Sequence, residues 1–295
     1  MRETSQNNDL SALKLVQETE LGLMDFLDGV CRSYGIRYSL IFGSLIGAVR
    51  HKGFIPWDDD IDVVMPREDY DRFLSVVVDD APEWIEVQHF RLGSSKRYVA
   101  RIADKRTLMH LDSYSESNDL HIWLDIFPID GLPDFAWLRR CHLLYVLWRK
   151  ACCSFAAFDE TVNLHRPGRP QWQQAIIWFF SITHMGRLWN LDRALDLYDS
   201  ALRKYSPLSG GECFCGVGTY GFKRQIWPSF AFNHLVEYEF EGRHYFGPED
   251  ADAILAVTYS DYMQLPPEGE RTVHQIDLVE HPNMHHARAN EQECA

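Results

Sequence analysis

The chain has 295 residues, 46% hydrophobic and 24% charged, enough to bury the core of one large domain or two small ones. Its net charge of −14 repels nucleic-acid backbones and sets aside a DNA- or RNA-binding role, yet a few placed cations or a metal can still hold a nucleotide. Aromatic residues reach 13%, nine of them Trp, which points to a ligand-stacking pocket or a surface resting on something apolar, beside ordinary core packing.

Residues 1–15 are polar and mixed in charge, without a basic stretch leading into an apolar run, and no segment approaches the roughly 18 apolar residues of a membrane span. The expectation is a cytoplasmic protein with reduced thiols. Seven cysteines cannot all pair, and the Cys152-Cys153 and Cys213-Phe-Cys215 spacings are not those of common zinc knuckles.

Helical spacing of Leu10, Leu13, Val16, Leu21, Met24, Leu27 and Val30 predicts a helix over 9–34, with Glu18, Glu20 and Asp28 off its apolar face. Ile36–Phe42 reads as a strand, Gly43-Ser44 as a turn, and Leu45–His51 as a short helix. A loop over 51–59 leads to a strand from Asp60 to Met65. Pro66 then starts a helix with Glu68 and Asp69 in its first turn. Strands are predicted at 85–90, 98–103 and 121–126. The stretch 137–204 is helical and rich in Trp, Phe and Leu; short strands at 235–240 and 244–246 and a helix over 248–259 follow a Gly-rich segment. The tail from Val279 is polar and is expected to be disordered. The predicted organisation is a catalytic α/β core over 1–135, a helical layer over 136–206, a completing part over 207–278 and a tail over 279–295.

The chemistry lies in the first third. On a strand, residues two apart point the same way, so Asp60 and Asp62 would present both carboxylates on one face. A divalent cation removes their repulsion, and oxygen-only ligands favour magnesium or manganese. Gly43 lets a backbone approach a phosphate, and Ser44 adds a hydroxyl. Asp125, in the otherwise apolar Trp123-Leu-Asp-Ile-Phe127, would complete the metal site or take an acceptor proton. Asp58 and Asp59 read as loop charges, with Asp58 a possible further ligand, and Asp130 as a turn residue. Arg50, Lys52, Arg101 and Lys105 stand near the site in sequence as phosphate contacts, with surface positions the plain alternative. Trp57 could stack on a base or face a quaternary ammonium. Tyr220–Arg224 and His274 are lesser pocket elements. The Trp172–Phe180 cluster is either core or a contact with a membrane surface.

With these residues in hand, the chain resembles the LicD family of phosphorylcholine transferases, related to fukutin and fukutin-related protein and built on the nucleotidyltransferase fold of polymerase β type. The resemblance rests on Gly43-Ser-Leu-Ile-Gly-Ala-Val-Arg-His-Lys-Gly-Phe-Ile-Pro-Trp-Asp-Asp-Asp-Ile-Asp62 and Met65-Pro-Arg-Glu-Asp-Tyr70. It continues through Asp104–Thr107, Leu124–Pro128 and Ser260–Glu268 with Arg271 and His274, and so covers roughly 10–275. It implies an α+β fold, a mixed sheet flanked by helices with an added helical layer. Asp60, Asp62 and Asp125 would hold Mg2+ (or Mn2+), and Gly43 and Ser44 would cradle phosphate. The implied donor is a CDP-activated alcohol, and the implied acceptor a hydroxyl of a glycan or lipid-linked glycan, reached from the inner face of a membrane. Residues 137–205 match no family motif, which leaves the acceptor open. The alternative is a nucleotidyltransferase that leaves an NMP on its acceptor; a D-x-D glycosyltransferase and an inactive scaffold are more distant.

Overall fold

The computed structural model of the protein describes residues 2–111, 120–157, 190–206, 211–218, 220–267, 271 and 276–282. In chain order the elements are α1 (Arg2–Tyr34), β1 (Ser39–Leu40), α2 (Phe42–Ile46), β2 (Asp62–Pro66), α3 (Arg67–Asp80), β3 (Ile85–Gln88), β4 (Ala100–Leu111) and β5 (Leu120–Gly131). There follow α4 (Ala136–Ala156), α5 (Leu191–Leu202), β6 (Glu212–Phe214), β7 (Ile226–Pro228), β8 (Leu235–Phe240), β9 (Arg243–Pro248), α6 (Asp252–Tyr259) and β10 (Ile276–Glu280).

The apolar stripe read from the sequence makes α1 the floor of the main core: Leu23, Met24 and Leu27 are fully buried, and each such side chain contributes about 1.5–3 kcal/mol. The sheet runs β1-β2-β5-β4-β10, with β3 also paired to β4, β6 to β5 and β7 to β6. Among the described strands only β2 and β5 pair in parallel; the other pairs are antiparallel. β8 and β9 form a separate hairpin. This is the expected mixed sheet flanked by helices. In the helical layer α4 packs on α5, and Val146, Cys153, Leu195, Tyr198 and Leu202 form a second core with Leu132 and Phe214. Residues 158–189, including the Trp172–Phe180 cluster, lie outside the described residues.

Several local expectations are corrected. The strand predicted at 36–42 pairs only at Ser39 and Leu40, because the chain turns at Phe42, which has φ 50°, and enters α2 there. α2 is a single short helix continued by a π-type turn over Gly47–His51. The strand predicted from Asp60 begins at Asp62, since the Ile61 N–H is taken by the Glu20 carboxylate (3.3 Å) instead of a neighbouring strand. The Gly-rich segment contains a strand, β6. The expected tail is ordered as far as β10, which pairs with the second half of β4 through residues 108–111, while β3 covers 101–104.

Asp130 is no turn residue. It is fully buried on β5, where the Arg67 guanidinium donates to both its oxygens, from Nε at 2.7 Å and Nη2 at 2.5 Å. Arg67 also donates to Asp199 on α5 (3.1 Å), which accepts from the Tyr98 hydroxyl (2.6 Å). Arg203 bridges Asp199 and Asp71, and Arg91 closes the set on Asp71. This network ties the helical layer to the sheet.

Candidate active site

Strand register assembles the centre. The parallel pairing of β2 and β5 sets Asp62 opposite Asp125, and the antiparallel pairing of β5 and β4 sets Asp125 opposite Arg101. Residues opposite one another across a sheet share a face, so the three side chains stand in a row. Arg101 donates to both Asp125 oxygens (2.7 and 3.0 Å), and the Trp123 indole N–H donates to Oδ2 (3.1 Å). The guanidinium lies 3.9 Å from the centre of the Trp123 ring, a cation–π contact that fixes its plane. Asp125 is thus held in a charge-assisted pair.

In front of this row lies a cavity of about 620 Å³, within the size range of small-molecule sites, roughly 300–1,000 Å³. Gly43, Trp57, Asp58, Asp59, Asp60 and Asp62 line it. Asp60 precedes the strand, so the tight acidic cluster is the loop run Asp58, Asp59 and Asp60, whose carboxylate oxygens come within 4.8 Å of one another. Among the described residues this is the group of His, Cys, Asp or Glu close enough to hold an ion. Cys213 and Cys215 are absent from it; burial pushes their thiols up to about 12 and about 11, where they stay protonated. The acidic loop is anchored to α1, with Gln17 Nε2 donating to the Asp58 carbonyl (2.8 Å).

Gly47 is required here by backbone, and Gly43 is closely approached by a side chain. A Cβ on Gly43 would lie 2.4 Å from Asp58 Oδ2, and one on Gly47 would meet the Gly53 carbonyl at 2.3 Å. The left-handed Phe42 beside Gly43 carries strain of order 1–3 kcal/mol and brings its ring into the cavity wall. The buried Ser44 hydroxyl accepts the Asp62 N–H (2.8 Å) and so locks α2 to the start of β2.

The electrostatics are lopsided. Burial, and then the charges of Asp60, Asp125 and Asp58, hold the Asp62 carboxyl well above the usual range, with Arg101 pulling it back. Glu20 lines the same cavity from α1 and is raised well above its usual value by burial, then by Asp60 and Asp125. The sequence reading put Glu20 on the solvent face. The corrective signal was present, because Glu20 sits four residues from both Val16 and Met24 and so continues the buried stripe.

Of the predicted site residues, the structure brings Gly43, Trp57, Asp60 and Asp62 to the cavity wall, with Asp125 and Arg101 in the adjoining strand row. Three others stand apart. Arg50 donates to the Tyr262 carbonyl, the exposed Lys52 pairs with Glu239 on β8 (3.0 Å), and Lys105 is exposed on β4 just before its register shifts. The far wall is aromatic. Tyr259 donates to the Tyr220 hydroxyl (3.0 Å), and the Tyr220 ring lies 5.4 Å from that of Phe42. The Arg271 guanidinium lies 5.1 Å over Trp57. His274 lies outside the described residues.

The chain is similar to known proteins. The LicD/FKTN/FKRP nucleotidyltransferase domain matches residues 35–144. The lipopolysaccharide cholinephosphotransferase LicD of Haemophilus influenzae is 32% identical over 263 residues, which span 87% of this chain and 93% of that protein. An uncharacterized Rickettsia typhi protein is 30% identical over 160 residues, 54% of this chain and 48% of its own length. The human ribitol 5-phosphate transferase FKRP is 32% identical over 106 residues, 35% of this chain but 19% of the human protein. With an acidic loop, a strand-borne Asp–Arg row and a similarity that runs nearly end to end, the chain belongs to the LicD family of phosphotransferases.

Proposed function

We propose that the chain transfers a phospho-alcohol from a CDP-activated alcohol to a hydroxyl of a glycan or lipid-linked glycan, with magnesium as its cofactor. One observation carries this reading: Glu20, Asp58, Asp59, Asp60 and Asp62 converge on one cavity, while Arg101, the nearby strand cation, is already paired with Asp125. A diphosphate donor entering such a field is repelled unless divalent cations come with it. The donor set fits magnesium, being all oxygen, and burial, then the crowding of acids, holds the Asp62 carboxyl above its usual range. Asp58, Asp59 and Asp60, with Asp62 lining the same cavity, would hold the metal, which when bound supplies neutralising charge to the phosphate oxygens.

The protein's own groups do the rest. The acceptor oxygen attacks the phosphorus that bears the alcohol, the bond to the CMP oxygen breaks, and the hydroxyl proton passes to a cavity carboxylate. Asp125 positions Arg101, and Arg101 places a fixed positive charge behind the acids. Phe42, Trp57, Trp123, Phe127, Tyr220 and Tyr259 line the cavity together with the acids. Aromatic faces beside carboxylates suit a quaternary ammonium better than a polyol, so phosphocholine is the favoured cargo and a polyol phosphate the second.

The test is to incubate the protein and magnesium with CDP-choline, CDP-ribitol and nucleoside triphosphates in the presence of a glycan acceptor. CMP release from CDP-choline is the expected product. Pyrophosphate release, or a nucleotide left on the acceptor, would replace this reading with nucleotidyl transfer.

A further inference from the structure

The outer face of α4 is apolar where a solvated helix would be polar. Trp137, Cys141, Leu144 and Trp148 recur at i, i+4, i+7 and i+11, one stripe on the side away from the buried His142, Val146 and Cys153, ending at the buried Cys152 one turn beyond Trp148. Trp137 is 67% exposed, Leu144 66% and Trp148 53%, and Phe135, just before the helix, is 70% exposed. Leu147 and Tyr145 widen the stripe. The helix also carries Arg139, Arg140, Arg149 and Lys150 and no Asp or Glu, in a chain of net charge −14. Arg139 turns inward to Glu212, whereas Arg140 is exposed and Arg149 stacks over Trp148 at 4.3 Å, at the flanks of the stripe.

We propose that α4 lies in the plane of an anionic lipid surface, its Trp and Leu side chains entering the headgroup layer and Arg140 and Arg149 meeting lipid phosphates. Charge complementarity selects this occupant. A second copy docked symmetrically on this face would set these cations against their like, whereas an acidic bilayer offers both the apolar depth and the anions that an interfacial helix uses. In sequence, α4 is a separate segment from the Trp172–Phe180 cluster. The inference stands on the helix and not on the reaction proposed above, since lipid binding is read without turnover. Because α4 follows directly on β5, the strand that bears Asp125, docking would hold the cavity close to the bilayer.

The full chain is to be sedimented with vesicles of phosphatidylglycerol and phosphatidylcholine and with vesicles of phosphatidylcholine alone. The expected result is binding to the acidic vesicles that weakens with salt. A Trp137→Ser/Trp148→Ser variant and an Arg140→Glu/Arg149→Glu variant should each bind at least tenfold more weakly at an unchanged melting temperature. The proposal is overturned by wild-type protein that stays in the supernatant, or by variants that bind equally well. It is equally overturned by variants that lose thermal stability, meaning the chain covers its own face, or by a wild-type dimer that Trp148→Ser dissociates.

Discussion

Two regions of this molecule gather charge, and they do so in opposite ways. Around Arg67, three arginines (Arg67, Arg91 and Arg203) meet three aspartates (Asp71, Asp130 and Asp199) in direct ion pairs. In the cavity, Glu20, Asp58, Asp59, Asp60 and Asp62 gather beside Arg101, which is already paired with Asp125. A balanced cluster satisfies itself and serves as a joint. One rich in acids costs stability that a bound cation offsets. The charge ratio thus separates scaffold from site where burial alone does not.

The largest effects should fall on the unbalanced side. Asp62→Asn should lower CMP release by at least about 10²–10³-fold while leaving the melting temperature equal or higher, because a repelling charge is gone. A melting temperature several degrees lower would make Asp62 structural and collapse the distinction. On the balanced side, Arg67→Met leaves Asp130 buried without its partner and should cost about 3–5 kcal/mol in chemical denaturation. A loss under about 1 kcal/mol would show the joint to be dispensable. Magnesium should stabilise the wild type by about 2.7 kcal/mol at a hundredfold excess over its dissociation constant, and Asp62→Asn and Asp60→Asn much less. Calorimetry with and without EDTA reads this directly, and an equal gain in the variants would place the ion elsewhere.

The smallest effect lies beside the balanced cluster. His89 is buried among the rings of Tyr70, Phe90 and Tyr98, and burial, then the charge of Arg91, lowers its imidazole to about 4. The unfolded chain takes up this proton near pH 6.5 and the folded one only near pH 4. Stability should therefore fall as pH drops through that window, by up to about 1.4 kcal/mol per pH unit, and the contribution vanishes above it. Denaturation curves of the wild type and His89→Asn at pH 7, 6 and 5 should converge or diverge accordingly; parallel curves would remove His89 from the account.

Legibility in the sequence followed the range of the interactions. The stripe of α1, the strands around Val63 and Leu124 and the hairpin of β8 and β9 rest on local periodicity, and were read with boundaries off by a few residues. The D-x-D and Asp125 announced an acidic site because polar residues interrupt apolar strands. Long-range pairing was not legible: no spacing tells that Asp125 is claimed by Arg101, that Asp130 waits for Arg67, or that Lys52 goes to Glu239. β10 was missed for a related reason. Ile276, Leu278 and Val279 are strand formers, but so short a run at the head of a polar tail gives little local signal, and its pairing along β4 is what makes it a strand.

That last strand bears on how the protein can be handled. β4 has its outer margin covered in two lengths, by β3 and then by residues 276–280, and His281 beyond them meets the Thr19 hydroxyl at 2.8 Å. A version trimmed before Ile276 would bare a row of backbone amides and carbonyls next to Met109, ready to recruit another molecule edge to edge. Poor solubility of such a truncated form, relieved by restoring only these few residues, would therefore report on a missing seam and not on the chemistry of the cavity.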